Sequence, residues 1–260
     1  MKLCYNSLMI NTYNESNLHR TLKNLYALEF NGKTEVPVEN WICDIVAEDD
    51  EIIEIQTANI SALTEKTRAL LASGKKVRIV HPLVTEKLIE TYTPDGSLTS
   101  RRKSPKVQTI YAVLRSLTGI YPLLLNENFT LEVIHVSITE RRRKTAAPVQ
   151  LANRSRRFLK DWVPQGKELN RIAEKMRFRT KEDYLSLIPP SVETEFSVPE
   201  LQKAIFARAW GEDLSKSNRT KAAAQARLLI WLFKRMGLVE ECGKQGRSKL
   251  YRILGASSGK

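Results

Sequence analysis

The stretch CDIVAEDDEIIEIQT, residues 43–57, holds the side chains best suited to chemistry. Two apolar runs flank an acidic bend, the pattern of a strand, a tight turn and a second strand. Asp44 interrupts the first run, and Glu54 and Gln56 interrupt the second. With the turn centred on Asp49 and Asp50, Asp44 falls opposite residue 54 or 55. Asp44 and Glu54 are then direct or near cross-strand neighbours, and strand alternation puts Glu54 and Gln56 on one face. Direct cross-strand pairs bring Cβ atoms to about 5 Å, where like charges repel. In a half-buried sheet that repulsion is costly unless a proton or a cation neutralises it. A hard divalent cation such as Mg2+ takes a few carboxylates, with waters and phosphate oxygens as its other ligands. The acids of the turn itself, Glu48 to Glu51, read as ordinary solvent-facing charge.

The neighbouring elements must hold that hairpin. A helix beginning near Asn14 or Ser16 runs through NLHRTLKNLYAL, with Leu18, Leu22 and Leu25 on one face and Glu15 on the same inward side. After the hairpin, NISALTEKTRALLASGKK carries an apolar face of Leu63, Thr67, Leu70 and Leu71, and Ser73-Gly74 ends it. VRIVHPL, residues 77–83, reads as a short buried strand, and a strand reached through a helix suggests a parallel crossover. PDGSLTSRRKSPK, residues 94–106, reads as a loop grading into a basic cluster, followed by a helix at QTIYAVLRSL and a strand at LEVIHVSI.

Composition changes from residue 138. ITERRRKTAAPVQLANRSRRFLKDW is basic and weakly periodic, the mark of a linker. Beyond it the pattern is mainly helical. SVPE, residues 197–200, is a capping box with proline in the first turn. A long helix RTKAAAQARLLIWLFKRM follows, and LVEEC and SKLYRIL flank the turn GKQGR. This is the order of a winged helix-turn-helix. Its second helix presents Asn218, Arg219, Lys221 and Gln225 early, where such a helix meets DNA. Lys244, Arg247 and Lys249 lie at or beside the wing tip, suited to phosphates. Arg101, Arg102, Lys103 and Lys106 form a further basic cluster beside the hairpin-bearing region.

The net charge of +13 divides unevenly, about −4 over residues 1–100 and +17 over 101–260. A basic half suits a polyanion partner, with duplex DNA as the expected one. The three cysteines are dispersed and give no disulfide framework or zinc spacing. No leader or membrane-spanning stretch is legible, so a cytoplasmic protein without a membrane partner is expected.

In order and phrasing the chain resembles the PD-(D/E)xK nuclease superfamily, and within it a bacterial family that joins such a core to a C-terminal winged helix. NESNLHRTLKNLYA, VENWICDIV, IEIQTANISAL, VRIVHPL, SRRKSPK and GLVEECGKQGRSKLYRI carry the resemblance. It implies an α/β restriction-endonuclease-like core, αβββαβ, over residues 1–140. A basic connecting segment at 141–180 and a mainly α winged-helix domain at 181–260 would follow. It also implies Asp44 and Glu54 as ligands of Mg2+ or Mn2+, helped by the Ile55 carbonyl, with Glu15 as an additional helix acid. The lysine of the pattern falls at position 56, where this chain has Gln. Lysine supplies positive charge beside the water and the scissile phosphate, whereas Gln can only orient them. Lys66 flanks the apolar face of its helix, and its long stem reaches toward Glu54 as a migrated replacement. The expected function is a metal-dependent DNA endonuclease. The alternatives are a DNA-binding or regulatory protein with a degenerate core, or a nuclease subunit that needs a partner, whether a second copy or an accessory protein.

Overall fold

The computed structural model describes residues 16–151, 159–211 and 215–255. Helix α1 (Asn17–Glu29) starts where Ser16 accepts the His19 N–H, and its inward residues Leu18, Leu22 and Tyr26 are buried. Strands β1 (Lys33–Val38), β2 (Trp41–Val46) and β3 (Ile52–Ile55) form an antiparallel meander. Helix α2 (Thr64–Ala72) then crosses over to β4 (Val77–Tyr92), which pairs with β3 in parallel. β5 (Leu98–Lys103) folds back on the far half of β4. After the short α3 (Leu114–Leu117), β6 (Phe129–Val149) pairs in parallel with β4, and β7 (Lys160–Phe178) closes the order antiparallel to β6. The result is a seven-stranded mixed sheet, β1-β2-β3-β4-β6-β7 with β5 on β4.

The chain continues through α4 (Lys181–Leu185), β8 (Glu195–Ser197), α5 (Val198–Trp210), α6 (Lys216–Met236), β9 (Val239–Gln245) and β10 (Ser248–Ile253). The last strands form a three-stranded sheet, β8-β10-β9. One face of the large sheet is covered by α1, through Leu18 and Leu22 on Ile45, Ile53, Ile55, Val80 and Ile134. The other face carries α2, α3 and the C-terminal helices. Leu229, Leu232 and Phe233 share one apolar cluster with Leu114, Phe129 and Phe178, and Trp231 meets Tyr121 edge-on at 5.7 Å.

This corrects the expected fold class. The chain is dominated by the large mixed sheet, and its last third is not a mainly α winged-helix domain. A second sheet runs through that third, and its helices belong to the same core as the first sheet. Residues 141–180, expected as a connecting segment, are largely the outer part of β6 and the whole of β7, strands of 21 and 19 residues. The cluster Arg101–Lys103 lies on a strand and not in a loop. Both errors have one cause. These strands are exposed and polar, so they lack the alternation that marks a half-buried strand. Ladder bonds and cross-strand ion pairs hold them instead.

Glu51 is also corrected: it is buried and paired with Arg78 at 2.7 Å. Arg78 bonds Glu132, fully buried on β6, at 2.9 Å, and Arg177 of β7 bonds the same carboxylate oxygen at 2.8 Å. Tyr26 of α1 donates to its other oxygen. Burial alone would raise the Glu132 carboxyl, but the Tyr26 and Arg177 bonds and both arginine charges hold it below the ordinary range. The stability it contributes is therefore present above the unfolded carboxylate value and is lost as pH falls through the lower folded one. Glu132→Ala leaves Arg78 buried without this partner. Urea denaturation at neutral pH is expected to show a loss of roughly 3–5 kcal/mol.

Candidate active site

The β2–β3 register pairs Ile45 with Ile53 and Val46 with Ile52. Continued by one step, it sets Asp44 opposite Glu54. There the carboxylates replace the regular ladder. Asp44 Oδ2 accepts the Ile55 N–H at 2.8 Å, and Glu54 Oε1 accepts the Asp44 N–H at 3.3 Å. On the other side of β2, the β1 register brackets Glu35 and Asp44 between Thr34–Ile45 and Val36–Cys43. Glu35 has a φ of 54°, a strained value for a residue with a Cβ, and its side chain is tied to Lys23 of α1. The distortion thus lies beside the aspartate.

Lys66 and His19 meet the two carboxylates. Lys66, projecting from α2, places Nζ 2.5 Å from Glu54 Oε1 and donates to the Ile42 carbonyl at 2.7 Å. His19 of α1 brings Nε2 to 3.3 Å from Asp44 Oδ2. Burial of Glu54 (3% exposed) pushes its carboxyl up to about 7, with Asp44 adding to the rise and Lys66 opposing it. Burial would also raise Asp44. The His19 bond and charge, the Ile55 N–H and the Lys66 charge outweigh it and leave Asp44 below the ordinary carboxylate value. Near neutral pH the site therefore holds one firm negative charge and a second that ionises readily when positive charge arrives. Adjacent Cys43 is pushed up to about 12 by burial, so its thiol stays protonated.

Among the described residues no cluster of three or more His, Cys, Asp or Glu side chains is placed to hold a metal ion. Asp44 and Glu54 are the carboxylates that the described residues bring together at the hairpin. Two hard carboxylate oxygens, with water and a phosphate completing the shell, fit Mg2+ or Mn2+. The recorded contact of Ile55 is its N–H on Asp44, which fixes that carboxylate's orientation.

Gln56 departs from the pair. Its side-chain oxygen accepts the Ala58 N–H at 3.2 Å, and its carbonyl accepts from His81 Nδ1 at 2.6 Å. Burial holds the His81 ring below its ordinary value, so it is neutral at pH 7. The ring lines a cleft of about 460 Å³ with Thr57, Lys87, Lys106, Gln108 and Lys167. Glu15 lies outside the described residues.

The remaining candidates are scattered. Arg101 pairs with Glu90 at 3.4 Å and Lys103 with Glu86 at 2.8 Å, while Arg102 is exposed on the same strand. Arg219 and Lys221 are exposed near the start of α6, and Lys221 donates to Asn218 at 3.0 Å. Asn218 is buried, and Gln225 is half-buried, with its Oε1 buried and without a hydrogen-bond partner. Lys244 and Arg247 are exposed at the β9–β10 turn, with Lys249 paired to Glu241 at 2.9 Å. His19 was missed by sequence reasoning. Its signal was its place next to Leu18, on the flank of the inward face of α1.

The chain belongs to the family described as a domain of unknown function (DUF8091), whose model matches residues 16–179. That span runs from the start of α1 to the end of β7 and contains the whole constellation. A protein of Treponema pallidum (strain Nichols), described as an uncharacterized protein, is 28% identical over 243 residues. The match covers 94% of this chain and 87% of that protein. No solved structure matches.

Because Lys66 opposes the upward shift of Glu54, Lys66→Met is expected to move the Glu54 carboxyl further above about 7. Carboxyl-carbon NMR titration of the two proteins checks this. An unchanged midpoint would show that the ion pair does not set it.

Proposed function

We propose that this protein is a metal-dependent DNA endonuclease of the PD-(D/E)xK type, hydrolysing phosphodiester bonds at Asp44 and Glu54. The observation that carries the reading is the Lys66–Glu54 contact at 2.5 Å, opposite Asp44 on the neighbouring strand. Paired carboxylates with a lysine beside them match the charge needs of phosphodiester hydrolysis. The carboxylates hold a hard cation, and the ammonium faces a phosphate whose negative charge grows toward the transition state. Asp44 and Glu54 are the cation's ligands. When bound, Mg2+ or Mn2+ would polarise a phosphoryl oxygen and lower the pKa of the attacking water. Lys66 supplies the positive charge that Gln56 lacks, and His19 orients the Asp44 carboxylate. In this reading the substrate is duplex DNA, drawn by the strongly basic second half, and the protein works in the cytoplasm, alone, as a homodimer or with an accessory protein.

A second reading is favoured by one observation. The Gln56 side chain is spent on its own loop, at the Ala58 N–H, which suits a DNA-binding regulator whose core has lost catalysis.

Cleavage of supercoiled and linear DNA in Mg2+ or Mn2+ separates the two. In the nuclease reading, Asp44→Ala, Glu54→Ala and Lys66→Met each lower the rate by roughly 10²-fold or more. Gln56→Ala stays near the parent rate. Equal cleavage in the parent and Asp44→Ala proteins would remove the site assignment. Tight binding without cleavage, under every cation and with no partner restoring it, would favour the regulator.

A further inference from the structure

The outer sheet carries far more positive charge than the catalytic reading uses, and the ion pairs sort it into two sets. Glu86 pairs with Lys103 and Arg171, and Glu90 with Arg101 and Arg141. Glu168 also meets Arg141, and Glu140 holds Lys87 and Arg142. The Arg142 guanidinium further stacks 3.8 Å over the Trp162 ring. These cations brace the strands. Arg102, Arg143, Lys144, Lys160 and Lys167 have no ion pair among the described residues, and all are exposed.

Four of those five lie on β6 and β7, and three of them, Arg143, Lys144 and Lys160, lie at or beyond the place where the sheet narrows. β6 is buried as far as Glu140 and mostly exposed beyond it. Its pairing with β4 ends at Tyr92–Arg143, whereas pairing with β7 continues through Lys144–Trp162 to Val149–Lys160. Beyond that point the sheet is two-stranded, and the last six residues of β6 face only Lys160 to Trp162 of β7, across a register shift between Lys144 and Val149. Lysines on an edge strand commonly block unwanted pairing. That accounts for Lys160 and Lys167 on β7. It does not account for Arg143, which is flanked by strands on both sides.

We propose that the outer, two-stranded end of the β6–β7 pair is a DNA grip that enters the major groove, with Lys144 and Lys160 on it, Arg143 at its base and Lys167 further in along β7, all four on backbone phosphates. The major groove of B-form DNA, about 12 Å wide, admits a two-stranded ribbon. The major groove of A-form RNA is deep and narrow and excludes one. The protein therefore prefers duplex DNA to duplex RNA. This inference rests on the DNA reading above but not on catalysis.

The test is binding of the full chain to a short fluorescent DNA duplex in EDTA, measured by anisotropy across a salt series. The slope of log affinity against log salt is about −0.9 per phosphate neutralised. Replacing Arg143, Lys144, Lys160 and Lys167 together by Gln is expected to flatten that slope by about 3–4. Replacing the paired Lys103 and Arg171 by Gln should change it by less than about 1. A set that keeps the charges, Arg143→Lys with Lys144→Arg, Lys160→Arg and Lys167→Arg, should retain the parent slope. It guards against loss of binding through misfolding. An unchanged slope in the Gln set overturns the grip. So does competition by duplex RNA or anionic vesicles equal to that by DNA. Grip-dependent binding without cleavage in Mg2+ or Mn2+, and with no partner restoring it, upholds the grip and defeats the nuclease reading. Cleavage with an unaltered slope in the Gln set does the reverse.

Discussion

Two carboxyl groups held together across adjacent strands are the constraint around which the first domain-sized part of this chain is built. Asp44 and Glu54 lie on adjacent strands, each bonded to the other strand's main chain. Their repulsion is answered from both faces of the sheet, by His19 on α1 and Lys66 on α2. Each helix is in turn fixed by apolar packing, α1 on Ile45, Ile53 and Ile55, and α2 through Leu70 and Leu71. The hairpin's acidic turn is anchored through Glu51 and Arg78 to Glu132 beneath it. Core burial, a buried ion network and the candidate site are therefore one mechanical unit.

Positive charge has two roles in the same fold. Lys66, Arg78 and Arg142 each answer a buried or half-buried carboxylate and give shape to the protein. Arg143, Lys144, Lys160 and Lys167 answer none among the described residues and stand on the outer strands. Net charge does not distinguish these roles. Position in the strand register does.

The hairpin was legible from its period and its turn residues, and so was the approach of Lys66 to Glu54, because both follow from local spacing. The crossover from β3 through α2 to β4 was legible from the order of apolar runs. The outer sheet was not. LTSRRK has no buried face, and it is a strand because it pairs with Leu88 to Tyr92 of β4. In the C-terminal sheet the β9–β10 hairpin was legible, but β8 was hidden because it is only Glu195–Ser197, against the start of a helix whose capping box dominates the local pattern. The burial of Asn218 depended on the tertiary packing of α6, which no local pattern encodes. No helix among the described residues is long and apolar enough to cross a membrane.

The central claim is that Asp44 and Glu54 together form a cation centre, and calorimetric titration with Mn2+ tests it most directly. Glu54 holds its proton up to about pH 7, and an arriving cation must displace it. The affinity is predicted to weaken as pH falls below about 7, approaching tenfold per unit, with up to one proton released per ion bound. Both effects should fade above that pH, and Glu54→Gln should abolish the proton release. Mn2+ affinity that is independent of pH, or unchanged in Glu54→Gln, would contradict the account.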